Sequence, residues 1–191
     1  VAMIQDREAV KNPDSWKAFL TSVIPAIANA VSHIEITHAY NRVKWGIWNH
    51  TEIIQLMQPA FELQQQYPQI KLTGPACIDF EYAPVISALK SMPRQFHFSA
   101  LSHLLYVDRR GAPENHQGKF STLEKVTLLK ALANKSDRCD NKVIVSEVNW
   151  PVKYTGVWSP VICPYITPKW RKLEPGETED VYAHYMLRYL M

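Results

Sequence analysis

The sequence predicts an α/β domain built around a parallel β-sheet. Short apolar runs with strand-like composition alternate with longer segments of helical periodicity, and no linker or low-complexity segment separates them. With 191 residues, 47% of them hydrophobic, the chain is long enough to bury a sizeable core. We therefore expect a single domain over residues 1–191, with ligands at the carboxyl ends of the strands.

Five strand-then-helix units account for most of the chain. The predicted strands are Val1–Gln5, His33–Thr37, Ile70–Ala76, a segment around Phe98–Leu101, and Lys142–Val148. The predicted helices begin at Asn12–Pro13, at about Thr51, at Pro84, at about Thr122 and at Glu179. Asn12 and Pro13 suit a helix start, because asparagine caps helices and proline fits the first helical position. Pro25 should kink or divide that first helix.

Composition argues against several classes of partner. The formal charge is only +3, and the basic residues are scattered, so neither nucleic acid nor an anionic membrane surface is favoured. There is no apolar run of about 18 residues and no leader-like segment. The absence of an initiator methionine suggests a processed piece, so the compartment stays unknown.

Cysteine usage gives a weak indication of the compartment. Cys77, Cys139 and Cys163 are an odd number without the spacing of a zinc site or a disulfide framework. Reduced cytoplasmic thiols are the simplest interpretation. No His, Asp or Glu group has metal-ligand spacing either, so the sequence implies no metal and no cofactor.

Polar and aromatic residues follow directly after all five predicted strands. They are Asp6 and Arg7, then His38 and Asn41, then Asp79 and Glu81, then Tyr106 and Asp108, and finally Glu147, Asn149 and Trp150. In a parallel α/β fold these positions share one edge of the sheet, where ligands bind. The alternative is ordinary loop polarity, in which case the domain has a structural or regulatory role.

Glu147 ends the most convincing strand, in the segment IVSEVNWP. A carboxylate at the end of a buried strand is costly to desolvate, so it usually has a partner or a task. A structural ion pair with an arginine and a functional site are both consistent with this position.

Four segments, in order, resemble motifs of the retaining (β/α)8-barrel glycoside hydrolases, the clan that includes cellulase-like and β-xylosidase-like enzymes. Residues 35–41 (EITHAYN) are similar to the fourth-strand motif E-I-W-N-E-P-N, and residues 71–76 (KLTGPA) to a fifth strand ending in G-P. Residues 102–106 (SHLLY) resemble a sixth strand ending in H-W-Y, and residues 145–150 (VSEVNW) a seventh with T-E-x-x-W. The resemblance covers nearly the whole chain.

The resemblance implies a carbohydrate ligand and a retaining mechanism with Glu147 as the nucleophile, which forms a glycosyl-enzyme intermediate. Tyr106 would donate a hydrogen bond to Glu147, and Trp45 and Trp150 would suit the apolar face of a sugar ring. Asn41, His103 and Asn149 complete the substrate-binding residues that the resemblance suggests.

Two departures from the clan pattern stand out. The acid/base glutamate of the fourth strand aligns with Ala39, which cannot transfer a proton. His103 lies one residue early, which predicts that it belongs to the other face of its strand. The candidates for a moved acid are Asp79, Glu81, Asp108 and, as a proton donor of another type, His38. Without an acid, the protein would be a carbohydrate-binding pseudoenzyme.

Length is the other anomaly. A full barrel has about 250 residues and eight units, whereas five units are visible here and correspond to units three to seven. We therefore expect a TIM-barrel-like but incomplete barrel, either a fragment or a chain whose open edges are covered by another copy, since exposed parallel edges favour association.

Overall fold

The computed structural model describes residues 1–107, 111–150, 152 and 178–191. Its strands are β1 (Ala2–Met3), β2 (His33–Ile36), β3 (Lys71–Ile78), β4 (Ala100–Leu104) and β5 (Val143–Glu147). Its helices are α1 (Arg7–Lys11), α2 (Pro13–Ile27), α3 (His50–Gln66), α4 (Tyr82–Ser91), α5 (Thr122–Lys135) and α6 (Glu179–Leu190), with a 3-10 turn at Val43–Trp45.

The five strands form one parallel sheet in the order β1-β2-β3-β4-β5. Every pair of neighbours is parallel. A doubly wound sheet would reverse its strand order at a switch point, whereas sequential order is that of a barrel segment. The sheet is a curled half-barrel, which confirms the predicted incomplete α/β barrel.

Several predicted boundaries were wrong. β1 has two residues instead of five, and β4 begins at Ala100 instead of Phe98, which forms only an isolated bridge with Cys139. Pro25 does not divide α2, because it lies in the last turn of a helix that ends at Ile27 and so interrupts little of its hydrogen bonding.

Side-chain caps explain where the helices begin. Asn12 accepts a hydrogen bond from the Ser15 backbone N–H at the start of α2, as the sequence predicts. Ser121 and Glu124 form a reciprocal capping box at the start of α5. Each such cap is worth about 1 kcal/mol of helix stability.

The main apolar core lies between the helices and the outer face of the sheet. It takes alternate strand residues, because successive side chains of a strand point to opposite faces. Its fully buried members include Leu20 and Ile24 of α2, Ile53 and Leu56 of α3, Ile34 of β2, Leu72 of β3 and Leu101 of β4.

The opposite, concave face carries a different set of side chains. Glu35, Thr73 and Ala100 are register partners on β2, β3 and β4, and Ser102 lies two residues further along β4. These positions alternate with the core residues, so the large apolar groups of this part of the sheet lie outside and the small or polar groups lie inside. Among the described residues, no helix has the length and apolar character needed to cross a membrane.

A substitution at Gly74 tests the packing on the outer face of the sheet. A Cβ atom at this position would lie 2.4 Å from the ring of Phe98, which is fully buried. We expect Gly74→Ala to lower the free energy of unfolding by about 1–3 kcal/mol through overpacking. Chemical denaturation measures this, and adding Phe98→Leu should recover part of the loss. Equal costs of Gly74→Ala with and without Phe98→Leu would contradict the proposed clash.

The edge strands of the described sheet lead to a prediction about assembly. β1 and β5 each have one strand neighbour within the described residues, and Ile4 next to β1 is 53% exposed. We expect the isolated 191-residue chain to self-associate, because unpaired strand edges and exposed apolar side chains favour contact between copies. Sedimentation velocity over a range of concentrations tests this, and a monodisperse monomer throughout would refute it.

Candidate active site

An irregularity of β5 determines where Glu147 lies. His103 pairs with Val145 and Leu104 pairs with Glu147, so Ser146 is an extra residue in β5. Without this bulge, Glu147 would share the outer face with Val145. The bulge instead places Glu147 on the concave face together with Leu104, and bulges of this kind often re-aim a side chain beside an active site.

Glu147 contacts residues that follow two other strands. The hydroxyl group of Tyr106, after β4, donates a hydrogen bond to Glu147 Oε1. Nε2 of His38, after β2, lies 3.5 Å from Glu147 Oε2. The Glu147 side chain keeps 37% of its surface exposed, so the carboxylate remains accessible from solvent. Its described contacts are those of a polar cluster at the strand ends rather than an arginine ion pair.

His38 is held in place by Gln5, a residue that the sequence analysis did not single out. The His38 backbone N–H donates to Gln5 Oε1 at 2.8 Å, and Gln5 Nε2 donates to the carbonyl oxygens of His38 and Trp45 at 2.9 and 3.0 Å. Burial lowers the pKa of His38, and the nearby charge of Glu147 opposes that effect only in part. In the sequence, Gln5 could have been noticed as the polar residue that ends the apolar run Val1–Gln5.

Trp45 lies beside this pair. Its ring meets the His38 ring edge-on, with the centroids 4.4 Å apart, and Lys44 Nζ is 5.0 Å from the centre of the Trp45 ring. Trp45 therefore borders the site, with part of its aromatic surface already in contact with protein.

Ala39, which aligns with the acid/base position of the clan, is completely buried. It belongs to a small apolar cluster at the mouth of the concave face with Ala76, Ile78 and Leu104, and Trp45 and Tyr106 pack against this cluster. The Ala39 side chain therefore packs among apolar side chains, next to the polar groups of Tyr106 and His38.

The backbone around the site contains unusual conformations. Thr37, Ala39, Ala76 and Asp79 all have positive φ, between 43° and 70°. Such conformations cost on the order of 1–3 kcal/mol each for non-glycine residues and concentrate at functional sites. All four lie at or just beyond the carboxyl ends of β2 and β3.

Asp79 and Glu81 are joined to Arg42. Nη2 of Arg42 lies 2.7 Å from Asp79 Oδ2 and 2.6 Å from Glu81 Oε1. Hydrogen bonding to Arg42 is the largest cause that lowers the pKa of Glu81. An ionised, arginine-bound carboxylate is a poor proton donor, so this geometry does not favour Glu81 as the moved acid.

Asn41 links the same two loops. It donates to the Ile78 carbonyl at 3.0 Å and to Glu81 Oε2 at 2.8 Å, and its Oδ1 accepts from the Ile78 N–H at 2.9 Å. The amide is thus engaged in joining the loop after β2 to the end of β3.

Other predicted site residues lie elsewhere. His103 pairs with Cys77 and Val145, is fully buried, and donates from Nε2 to the Asp79 carbonyl oxygen, so it lies on the outer side of the sheet. Burial lowers its pKa. Asn149 is exposed just beyond β5. Asp108 lies outside the described residues.

Trp150 is buried against α6 and is not part of the open site. Its Nε1 donates to the Gly111 carbonyl oxygen at 2.8 Å, and it is only 2% exposed. The rings of Tyr182, Tyr185 and Tyr189 lie 5.6–6.1 Å from the Trp150 ring. These contacts make Trp150 an anchor for α6 instead of an exposed platform for a sugar.

Glu35 is a second carboxyl group on the concave face, inside the segment that resembles the fourth-strand motif. It is 6% exposed, and burial is the largest cause that raises its pKa. The sequence signal was a charged residue in the middle of the apolar strand HIEI. The described residues hold no cluster of three or more His, Cys, Asp or Glu side chains suited to a metal ion.

Comparison with known proteins supports the fold. No protein-family model matches the sequence, and no curated protein matches it. The crystal structure of the GH39 enzyme from Xanthomonas axonopodis pv. citri is similar, with a TM-score of 0.50 and 15% sequence identity. The match covers 72% of this chain and only 30% of that enzyme. The chain thus has an incomplete TIM-barrel-like fold, which it shares with part of that enzyme.

Arg42 provides a test of the polar cluster beside the site. We expect Arg42→Met to lower the free energy of unfolding by about 1–2 kcal/mol at neutral pH, because charge-assisted hydrogen bonds are lost at a partly exposed site. Because the pKa of Glu81 is lowered in the folded protein, ionised Glu81 contributes its full stabilisation at pH values above the ordinary pKa range of glutamate. That stabilisation is lost as the pH falls through the lowered pKa.

The difference in stability between the wild type and Arg42→Met should therefore shrink in acid. Chemical denaturation at neutral and acidic pH measures it. A difference that is independent of pH would mean that Arg42 stabilises the loops by packing alone.

Proposed function

We propose that this chain is a glycoside hydrolase-like protein that binds a carbohydrate at the carboxyl ends of its strands, with Glu147 as the nucleophile of a retaining mechanism. The observation that carries the proposal is the position of the Glu147 carboxylate. It lies on the concave face, accepts a hydrogen bond from Tyr106 and is 3.5 Å from His38 Nε2.

This arrangement suits nucleophilic attack on an anomeric carbon. A hydrogen bond from Tyr106 orients one oxygen of Glu147, and the exposed part of the side chain leaves room for a ligand. Attack forms a bond between Glu147 and the anomeric carbon while the bond to the leaving group breaks, and water then releases the sugar.

Protonation of the leaving group is the difficult step for this site. The aligned position holds Ala39 in an apolar cluster, and Asp79 and Glu81 are bound by Arg42. His38, with its lowered pKa, is better suited to hydrogen bonding with Glu147 than to donating a proton near neutral pH. The substrates that fit best are glycosides whose leaving group needs little protonation.

A second candidate function is carbohydrate binding without turnover. The apolar packing of Ala39 favours it, because an alanine among Ala76, Ile78 and Leu104 stands where the clan has its acid/base glutamate. The two functions differ in whether Glu147 forms a covalent intermediate. A burst of released phenol from an activated aryl glycoside would indicate the enzyme, and saturable sugar binding without a burst would indicate the binding protein.

Glu147→Gln tests the nucleophile directly. The amide is nearly isosteric with the carboxylate but is a far poorer nucleophile, so turnover of a dinitrophenyl glycoside should fall by at least about 1,000-fold, or about 4 kcal/mol of barrier. Sugar binding, followed by calorimetry, should be largely kept.

The matched control is Glu8→Gln, an exposed glutamate on α1 whose side chain contacts Lys11. It should leave both turnover and binding unchanged. Wild-type turnover in a stably folded Glu147→Gln variant would remove Glu147 from the mechanism.

A further inference from the structure

The side chain of Gln5 takes the place of a backbone contact between β1 and β2. The last register pair of these strands is Met3 with Ile36, and the same register two residues further on brings Gln5 opposite His38. There the Gln5 amide makes the contacts. Its Oε1 accepts from the His38 N–H at 2.8 Å, and its Nε2 donates to the His38 carbonyl oxygen at 2.9 Å. Gln5 is 2% exposed, so these hydrogen bonds are shielded from water.

The backbone that Gln5 binds has left the strand conformation. His38 lies between Thr37 and Ala39, whose φ angles are 70° and 43°. Non-glycine residues keep such angles only where the surrounding structure holds them. Gln5 binds both backbone polar groups of His38, so it holds this segment at its centre.

The same amide also binds Trp45. Gln5 Nε2 donates to the Trp45 carbonyl oxygen at 3.0 Å, and the rings of Trp45 and His38 meet edge-on with their centroids 4.4 Å apart. One buried side chain thus fixes the backbones of both residues whose rings are in contact. This limits how far the His38 ring can move from Glu147, whose Oε2 is 3.5 Å from His38 Nε2.

The two nitrogen atoms of the His38 ring have different surroundings. Nε2 faces the Glu147 carboxylate, whereas Nδ1 is buried and has no hydrogen-bond partner among the described residues. Burial lowers the pKa of His38, which favours the neutral ring near neutral pH. In a neutral ring with its proton on Nδ1, the lone pair of Nε2 would face the carboxylate. The tautomer with the proton on Nε2 is therefore the more stable one here.

We propose that Gln5 is a positioning residue for Glu147, which fixes the backbone of His38 so that the Nε2–H of its ring is directed at the Glu147 carboxylate. The role calls for an amide, because one group must supply an acceptor for an N–H and donors for two carbonyl oxygens. Its value for catalysis rests on the proposed function, in which Glu147 is the nucleophile. The state of the His38 ring is measurable without any sugar.

Long-range ¹H–¹⁵N NMR correlation of the histidine rings, which distinguishes the two neutral tautomers, tests the assignment. The His38 signals are identified by their loss in His38→Asn. At neutral pH the wild type should show the Nε2–H tautomer, and Glu147→Gln should shift the His38 signals. In Gln5→Leu, the shift that Glu147→Gln causes should be largely lost, because the ring is no longer held beside position 147. Comparing the single and double variants isolates this coupling.

The matched control is Gln64→Leu. Gln64 Nε2 also donates to a backbone carbonyl oxygen, that of Ile70 at 3.1 Å, but Ile70 directly precedes β3, at the end of the sheet opposite to Glu147. This variant should leave the His38 signals and their response to Glu147→Gln unchanged. An Nδ1–H tautomer of His38 in the wild type would overturn the proposal, as would an unchanged response in a folded Gln5→Leu variant or an equal loss of response in Gln64→Leu.

Gln5→Glu serves if Gln5→Leu does not fold. It keeps an acceptor for the His38 N–H but loses the donors to the carbonyl oxygens of His38 and Trp45. The response of the His38 signals to Glu147→Gln should therefore be reduced in this variant as well. A full wild-type response in Gln5→Glu would overturn the proposal.

An activated aryl glycoside then separates this inference from the proposed function. If both hold, the rate constant of the burst should fall roughly 10- to 100-fold in Gln5→Leu, because a displacement of about 1 Å near the reacting groups has effects of this size. It should not change in Gln64→Leu. The expected NMR results without any burst in the wild type would sustain the positioning of His38 and refute the nucleophile role of Glu147. A burst at the wild-type rate in Gln5→Leu would refute the positioning role alone.

Discussion

Burial of the outer face of the sheet against the helices is the interaction on which the rest of this structure depends. Side chains such as Ile34, Leu72 and Leu101 lose nearly all exposure there, and burying each one contributes roughly 1.5–3 kcal/mol. Because side chains alternate along a strand, the residues that face the helices determine which residues face the concave side. Glu35 and Ser102 are on the concave face because their strand neighbours are in the core.

The candidate site depends on a local departure from that alternation. The extra residue Ser146 turns Glu147 from the core side to the concave side, beside Tyr106 and His38. Regular pairing would have placed the carboxylate among apolar core residues, where ionisation is costly. Positive φ at Thr37 and Ala39 shows that the loop after β2 is also held in an uncommon conformation where it meets Glu147.

Carboxyl groups with similar intrinsic chemistry have different environments in this protein. Glu81 is bound by Arg42, which lowers its pKa, whereas burial raises the pKa of Glu35. Glu147 is partly exposed and bonded to a neutral hydroxyl group. Separate environments of this kind allow neighbouring acids to hold different protonation states at one pH.

The sequence by itself determined the alternation of strands and helices, the helix start at Asn12 and the gathering of polar residues after the strands, because these follow from local pattern and capping. The sequence also indicated that Glu147 lies at the end of a strand. The one-residue offset of His103 also indicated that it lies on the other face of its strand. Only the tertiary structure decided that Trp150 is buried against α6 and that Gln5 supports His38. Those outcomes depend on strand register, on the bulge at Ser146 and on contacts between segments 33 or more residues apart, which no local pattern records.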